Sequence, residues 1–202
     1  MNSVIESSFD KVFDTQKIFR VLLDVMARPG TMQELVLPPL NAPRGFHRHT
    51  AAIAFTLLDE ATTFGLIPYN EEWERYIRLN TGACREENCR ADYLIVQGGN
   101  VWPECERFNR GSLASPEKSS TLIVNVESIT EEAQAETALL LKGPGIEATN
   151  RVGLRGLHER NIQAVKELNN EFPLGVDVIL VDAAGKVCAL PRSVRIDLEE
   201  SC

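Results

Sequence analysis

Four stretches of this chain, Tyr93 to Val96, Thr121 to Val126, Ala138 to Leu141 and Val176 to Val181, are short, almost continuous apolar runs rich in Val, Ile and Leu. Such runs lack the alternation of a half-solvated strand and are too short for a buried helix, so they read as strands covered on both faces. A sheet of that kind needs helices packed over it, which restricts the fold to an α/β or α+β sandwich.

The helices to cover it are present. Phe19, Leu22, Leu23 and Met26 fall at i, i+3, i+4 and i+7, predicting a helix over residues 15 to 27 with Asp14 or Thr15 as cap and Pro29-Gly30 as stop. Ala51, Ala54, Phe55 and Leu58 repeat the template, Glu71 to Asn80 carries Trp73, Tyr76, Ile77 and Leu79, and His158 to Asn170 brings round Ile162, Val165 and Leu168. Thr31 to Leu37, Thr62 to Ile67 and Val187 to Leu190 read as further strands, the last joined to its predecessor by a hairpin turn at Asp182 to Lys186. That hairpin makes the sheet mixed rather than purely parallel. Gly98 to Ser119, broken by Gly98-Gly99, Pro103, Gly111 and Pro116, reads as a long surface loop. No repeat or shift of composition divides the chain, so residues 1 to 202 are expected to form a single domain.

Charge narrows the partners. With 21 Lys and Arg against 29 Asp and Glu, the formal charge is -8, a field that repels nucleic acid and anionic membrane. Glu6, Asp10 and Asp14 near the start are unlike a secretory signal, and no apolar run approaches the ~18 residues of a membrane span, so a cytoplasmic protein is expected. Five cysteines (84, 89, 105, 188 and 202) are an odd number in a chain that needs no staples and read as reduced thiols. Cys84, Cys89 and Cys105 fit no metal-ligand spacing and lack a neighbouring fourth ligand.

No dinucleotide, P-loop, zinc-protease or nucleophile-elbow motif occurs, and a serine triad would have to draw its base from only three histidines. Weaker features remain. Arg44, His47, Arg48 and His49 precede the second helix, where free N–H groups favour an anion, or simply form a solvated loop. Lys142, Gly143 and Gly145 follow an expected central strand, at an end where ligands gather, or make a tight turn with an exposed lysine, and Arg151 and Arg155 could add to a positive rim. Asp177 interrupts an apolar strand and needs a partner; Arg192, across the hairpin, is either its ion-pair partner or a ligand contact.

Taken in order, Phe19-Arg20-x-Leu22-Leu23-x-x-Met26-x-x-Pro29-Gly30, Leu57-Leu58-Asp59, Asn80-Thr81-Gly82-Ala83, Pro116-Glu117 before Thr121-Leu122-Ile123, Leu141-Lys142-Gly143-Pro144-Gly145-Ile146, Phe172-Pro173-Leu174-Gly175-Val176-Asp177 and Leu190-Pro191-Arg192 are together specific. The chain resembles, nearly end to end, the PhnH family, whose members are subunits of the bacterial carbon-phosphorus lyase core complex of phosphonate metabolism. It departs from the family pattern at Val25, Asn80 and Val194, where Ala, His and a hydroxyl residue are usual.

The resemblance implies an α/β fold like the large domain of pyridoxal-phosphate-dependent transferases without the cofactor site. It also implies a homodimer that joins subunits G, I and J and has no metal or pyridoxal phosphate of its own. Such a subunit is expected to be non-catalytic and to support displacement of adenine from ATP by an alkylphosphonate, giving ribose 1-phosphonate 5-triphosphate. Arg20, Lys142, Gly143, Gly145, Asp177 and Arg192 are the candidate contacts to phosphonate or nucleoside triphosphate. Two other classes stay open: a free-standing phosphonate- or nucleotide-binding protein, and a transferase-like enzyme that forms a Schiff base at Lys142.

Overall fold

The apolar runs at 93, 121 and 176 become adjacent strands in the middle of a sheet. In the computed structural model, which describes residues 9 to 131 and 135 to 199, the elements are α1 (Phe13–Ala27), β1 (Gln33–Glu34), α2 (Arg48–Leu57), β2 (Thr63–Ile67), α3 (Glu71–Thr81), β3 (Cys84–Arg85), β4 (Tyr93–Gln97), β5 (Thr121–Val126), β6 (Ser128–Thr130), β7 (Thr137–Lys142), β8 (Asn150–Arg155), α4 (Glu159–Leu168), β9 (Asp177–Asp182), β10 (Lys186–Leu190) and β11 (Arg195–Leu198). Glu6 and Cys202 lie outside the described residues.

A seven-stranded mixed sheet has the order β1-β10-β9-β5-β4-β2-β3, parallel from β9 to β3 and antiparallel at β10 and β1. The expected hairpin joins β9 to β10, with Val181 opposite Val187 and Val178 opposite Leu190. Its turn closes with Gly185 N donating to Asp182 O at 3.1 Å, and a φ of +95° there suits glycine.

Side chains along the parallel strands alternate between two cores. Ile95, Ile123, Ile179 and Val181 pack under α1, α2 and α3. Leu94, Val96, Leu122, Val124, Val178 and Leu180 face α4 and a second sheet of order β11-β7-β8-β6, antiparallel throughout. The mixed α/β class with four α-helices matches the expectation. Two points of layering do not.

The run Ala138 to Leu141 is not a central strand of the main sheet; it is β7 of the second sheet. Leu139 and Leu141 enter the shared core while Leu140, on the other side, is half-buried. Alternation is hidden because the outward residues are apolar too. β6, β8 and β11 carry too few apolar residues in sequence to announce that sheet.

Helix α1 is rotated from its expected face. Ile18, Leu22 and Val25 are buried, whereas Phe19 and Leu23 are exposed, because apolar residues occupy more than one stripe of this helix. Its start is held by Asp10, whose Oδ1 accepts from Val12 N (2.8 Å) and Phe13 N (2.9 Å); Asp14 and Thr15 lie inside the helix, and Asp14 ties back to the same turn by accepting from Asp10 N through Oδ2 at 2.9 Å. Of Thr31 to Leu37, Gln33 and Glu34 are the residues in register with β10, and Leu35 N donates to Gly185 O at 2.8 Å; β1 lies at the sheet edge, with β10 its one strand neighbour among the described residues, and Pro38-Pro39 follows. Helix α3 starts where Asn70 Oδ1 accepts from Trp73 N and ends at Gly82, and Leu79 on it is exposed rather than packed.

Candidate functional site

Asp177 and Arg192 do meet. The Arg192 guanidinium forms an ion pair with Asp177 through Nη2 and Nε, its backbone N donates to Asp177 Oδ1 at 2.8 Å, and Nη1 donates to Pro116 O at 2.7 Å. The pair sits at the amino end of β9, opposite to the carboxyl edge where ligands of parallel sheets collect. A shallow cleft of about 430 Å³ lies beside it, lined by Arg192, Lys166, Asn169 and Arg195.

Lys142 ends β7 opposite Arg195 on β11, exposed. The expectation that it ends a central strand fails with the reassignment of β7, and so does the strand-end argument for a ligand there. Gly143 lies against Ser193 and Val194, which brings Lys142 and Gly143 near the Arg192 segment. Gly145, with φ +79°, seals onto the end of α1: a Cβ there would stand 2.2 Å from Ala27 O. Arg20 is exposed on α1 and, among the described residues, has no ion pair. Arg151 and Arg155 on β8 pair instead with Glu199 and Glu136.

Among the described residues, no three His, Cys, Asp or Glu side chains converge as metal ligands. Cys188 is buried, and burial pushes its thiol up to about 12. His158 Nδ1 accepts from Arg160 N at the start of α4 and is occupied as a cap.

The carboxyl edge of the parallel strands holds a different constellation. A cleft of about 530 Å³, within the range of small-molecule sites, is lined by Gln97 at the end of β4, Asn125 and Val126 at the end of β5, Glu127, Ala183 just past β9, Gly99-Asn100, Gly156 and His47. The segment feeding α2 is braced from α3: Trp73 Nε1 donates to Arg44 O, Tyr76 Oη donates to Asn41 O, and Phe46 is buried against the Trp73 ring. That bracing puts His47, the N-cap residue of α2, on the cleft.

The opposite wall is held by α4. Asn161, buried, donates from Nδ2 to Gly98 O (2.9 Å) and Asn100 O (2.8 Å) and accepts from Trp102 N at 3.0 Å. Gly98 N donates in turn to Asn125 O at 2.8 Å. Burial holds the His47 and His49 imidazoles below their ordinary range, so both are neutral at neutral pH, although the nearby Asp182 carboxylate pulls the other way.

A family model described as bacterial phosphonate metabolism protein (PhnH) matches residues 7 to 197, nearly the whole chain. The chain belongs to the PhnH family. It is similar to the alpha-D-ribose 1-methylphosphonate 5-triphosphate synthase subunit PhnH of Rhizobium meliloti (strain 1021), 30% identical over 196 residues that make up 94% of each chain. It is also 27% identical over 184 residues, 91% of this chain and 86% of the other, to HtxG of Stutzerimonas stutzeri, described as a candidate C-P lyase subunit.

In this PhnH-family chain, Gln97 and Asn125, which line the cleft, and Asn161, which holds its wall, are residues that sequence reasoning passed over. The signals for them were an asparagine inside the apolar run Thr121 to Val126 and a Gly-Gly-Asn segment directly after a strand. Of the basic window, His47 reaches the cleft while Arg44 and Arg48 are exposed.

Proposed function

We propose that this protein is a cytoplasmic, non-catalytic subunit of a carbon-phosphorus lyase complex, supporting conversion of ATP and an alkylphosphonate to ribose 1-phosphonate 5-triphosphate and adenine. The observation that carries this reading is the family match over residues 7 to 197, with a synthase-subunit relative aligned along 94% of both chains. A subunit of a multi-subunit complex acts through the surfaces it presents to its partners. Its described helices include none long and apolar enough to cross a membrane.

Several finer elements belong to the same proposal: one domain over residues 1 to 202, a homodimer that joins subunits G, I and J, and a fold of the pyridoxal-phosphate transferase large-domain type without the cofactor site. The Schiff-base alternative has little geometric support, because Lys142 is exposed at the end of β7 and away from the carboxyl-edge cleft. Contact of Arg20, Lys142, Gly143, Gly145, Asp177 and Arg192 with a polyanionic substrate of the assembled complex belongs to the same proposal, favoured by the cations Lys166, Arg192 and Arg195 that line one shallow cleft, with Lys142 opposite Arg195 on the paired strand.

Co-expression with the other three subunits, followed by mass measurement of the assembly and an adenine-release assay, tests the reading. Incorporation of the chain and adenine release that depends on it are expected. Failure to incorporate, or full activity without the chain, overturns it. Within that assay Lys142→Ala is the cleaner probe of substrate contact, since Arg192 is also tied to Asp177 and Pro116. Unchanged activity on replacing Lys142 and Arg192 in well-assembled complexes removes both from the substrate.

A further inference from the structure

The carboxyl-edge cleft carries hydrogen-bond donors that the protein itself leaves unused. Asn125 is 3% exposed, yet among the described residues its Nδ2 has no partner; its Oδ1 is held by the Thr50 hydroxyl, which leaves the nitrogen corner of the amide to the cleft that Asn125 lines. Gln97 Nε2 and His47 Nδ1, on the same lining, are likewise buried and unpartnered. An unpaired buried amide donor is costly, so two on one cleft, with an imidazole nitrogen beside them, is an unfavourable arrangement unless something accepts from them.

The second observation is the helix that starts there. Helix α2 has ten residues, and its N-cap His47 makes no side-chain capping bond, so its first N–H groups and the positive end of its dipole are open beside those amides. Donors converging from a helix start and two amides are matched by a group with several acceptor oxygens in a small volume. Aliphatic or cationic ligands would leave every donor unpaired.

We propose that this cleft binds the phosphoryl or phosphonyl group of a small molecule, with Asn125 Nδ2, Gln97 Nε2, His47 and the N-terminus of α2 donating to its oxygens. Glu127, exposed on the lining, opposes a net positive field, so the group is held by directed N–H bonds and not by bulk charge. Asn161 acts as a positioning residue, since it fixes the Gly98 to Asn100 wall without lining the cleft. The choice of phosphonyl probe rests on the family reading above, whereas the donor geometry does not.

The test uses the full chain, alone and in the co-expressed complex, with inorganic phosphate, methylphosphonate and ATP as separate probes read by calorimetry and phosphorus NMR line width. Saturable binding of at least one probe is expected, and which one binds tells whether the cleft takes free phosphate, a phosphonate or a nucleotide phosphate. Asn125→Asp keeps the side-chain shape but sets a carboxylate against the oxyanion; at least a tenfold loss of affinity is expected. Gln97→Met, similar in size and on the rim, gives a second variant if the first fails to fold, with a several-fold loss expected. No binding by any probe up to millimolar concentration overturns the proposal, as does binding that survives both substitutions in folded protein. Assembly mass is measured on the same samples: intact complexes without binding overturn the site and leave the subunit reading standing.

Discussion

At the scale of single residues, the strongest polar commitment of the chain is Asp177 with Arg192, both side chains about five-sixths buried at 17% and 15% exposure. Breaking one half of a buried pair leaves the other charge uncompensated, which costs about 3–5 kcal/mol when burial is complete and somewhat less here. Arg192→Ala is therefore expected to lower the melting temperature by several degrees in a thermal scan, and Asp177→Ala similarly; a melting point within a degree of the parent would refute the structural weight given to the pair. His49 makes a pH prediction. It is 1% exposed, wedged against the hairpin turn where a Cβ on Gly185 would stand 2.6 Å from its Nε2. Burial is the main cause that depresses its pKa below the ordinary 6.5, Arg48 and His47 push the same way, and Asp182 and Glu34 pull back. A depressed histidine binds fewer protons folded than unfolded, so stability rises with pH across the titration. Above about pH 6.5 both states are neutral and nothing is lost; as pH falls below 6.5 the unfolded state takes the proton first and stability declines. The melting temperature should fall between about pH 7 and about pH 5.5, and His49→Gln should flatten that limb even if it lowers the curve as a whole. An equally steep acid limb in the variant would exclude His49 as a cause.

At the scale of elements, the wall of the cleft depends on one side chain of α4. Asn161 satisfies two loop carbonyls and one N–H from a buried position, and its removal strands those groups in the interior. Asn161→Ala is expected to destabilise the fold by about 2–3 kcal/mol and to raise hydrogen exchange at Gly99 to Trp102 more than in β9. Exchange rising uniformly would mean that the contact does not organise that segment. Such a role was not legible in sequence, because a buried asparagine on a helix looks like any polar residue on its solvated side. The strands β4, β5 and β9 were legible, since parallel strands buried on both faces need unbroken apolar runs and little else makes them. β6, β8 and β11 were not: β6 and β11 span only three and four residues, β8 has only Val152 and Leu154 as apolar side chains among polar ones, and their pairing is set by what they pack on. The site divided likewise. Asp177 and Arg192 announced themselves as a buried acid facing a cation across a hairpin, whereas the cleft is assembled from β4, β5, α2 and the segment after β9, whose proximity only the sheet order creates.

At the scale of the whole molecule, one face is left unpaired by the packing that builds the core. Helix α1 turns Ile18, Leu22 and Val25 inward and leaves Phe19 and Leu23 on the outside at 45% and 53% exposure. Val12 falls seven residues before Phe19, so the three form one outward stripe, with Phe13 exposed beside it. Single exposed apolar residues are ordinary, but a stripe of them along one helix is the usual mark of a protein contact. The replacement Phe19→Glu with Leu23→Glu tests it. Neither side chain packs in the core, so the melting temperature of the folded chain should change little, within about 0.5 kcal/mol per site. Self-association at micromolar concentration, incorporation into the co-expressed complex, or both should fall sharply, because two carboxylates buried in an apolar contact meet a desolvation cost with no partner. Native mass measurement on parent and variant reads both outcomes at once. A variant that keeps the parental masses in isolation and in the complex would show that the stripe faces solvent in every assembly, and the contact would then have to be sought on another face of the molecule.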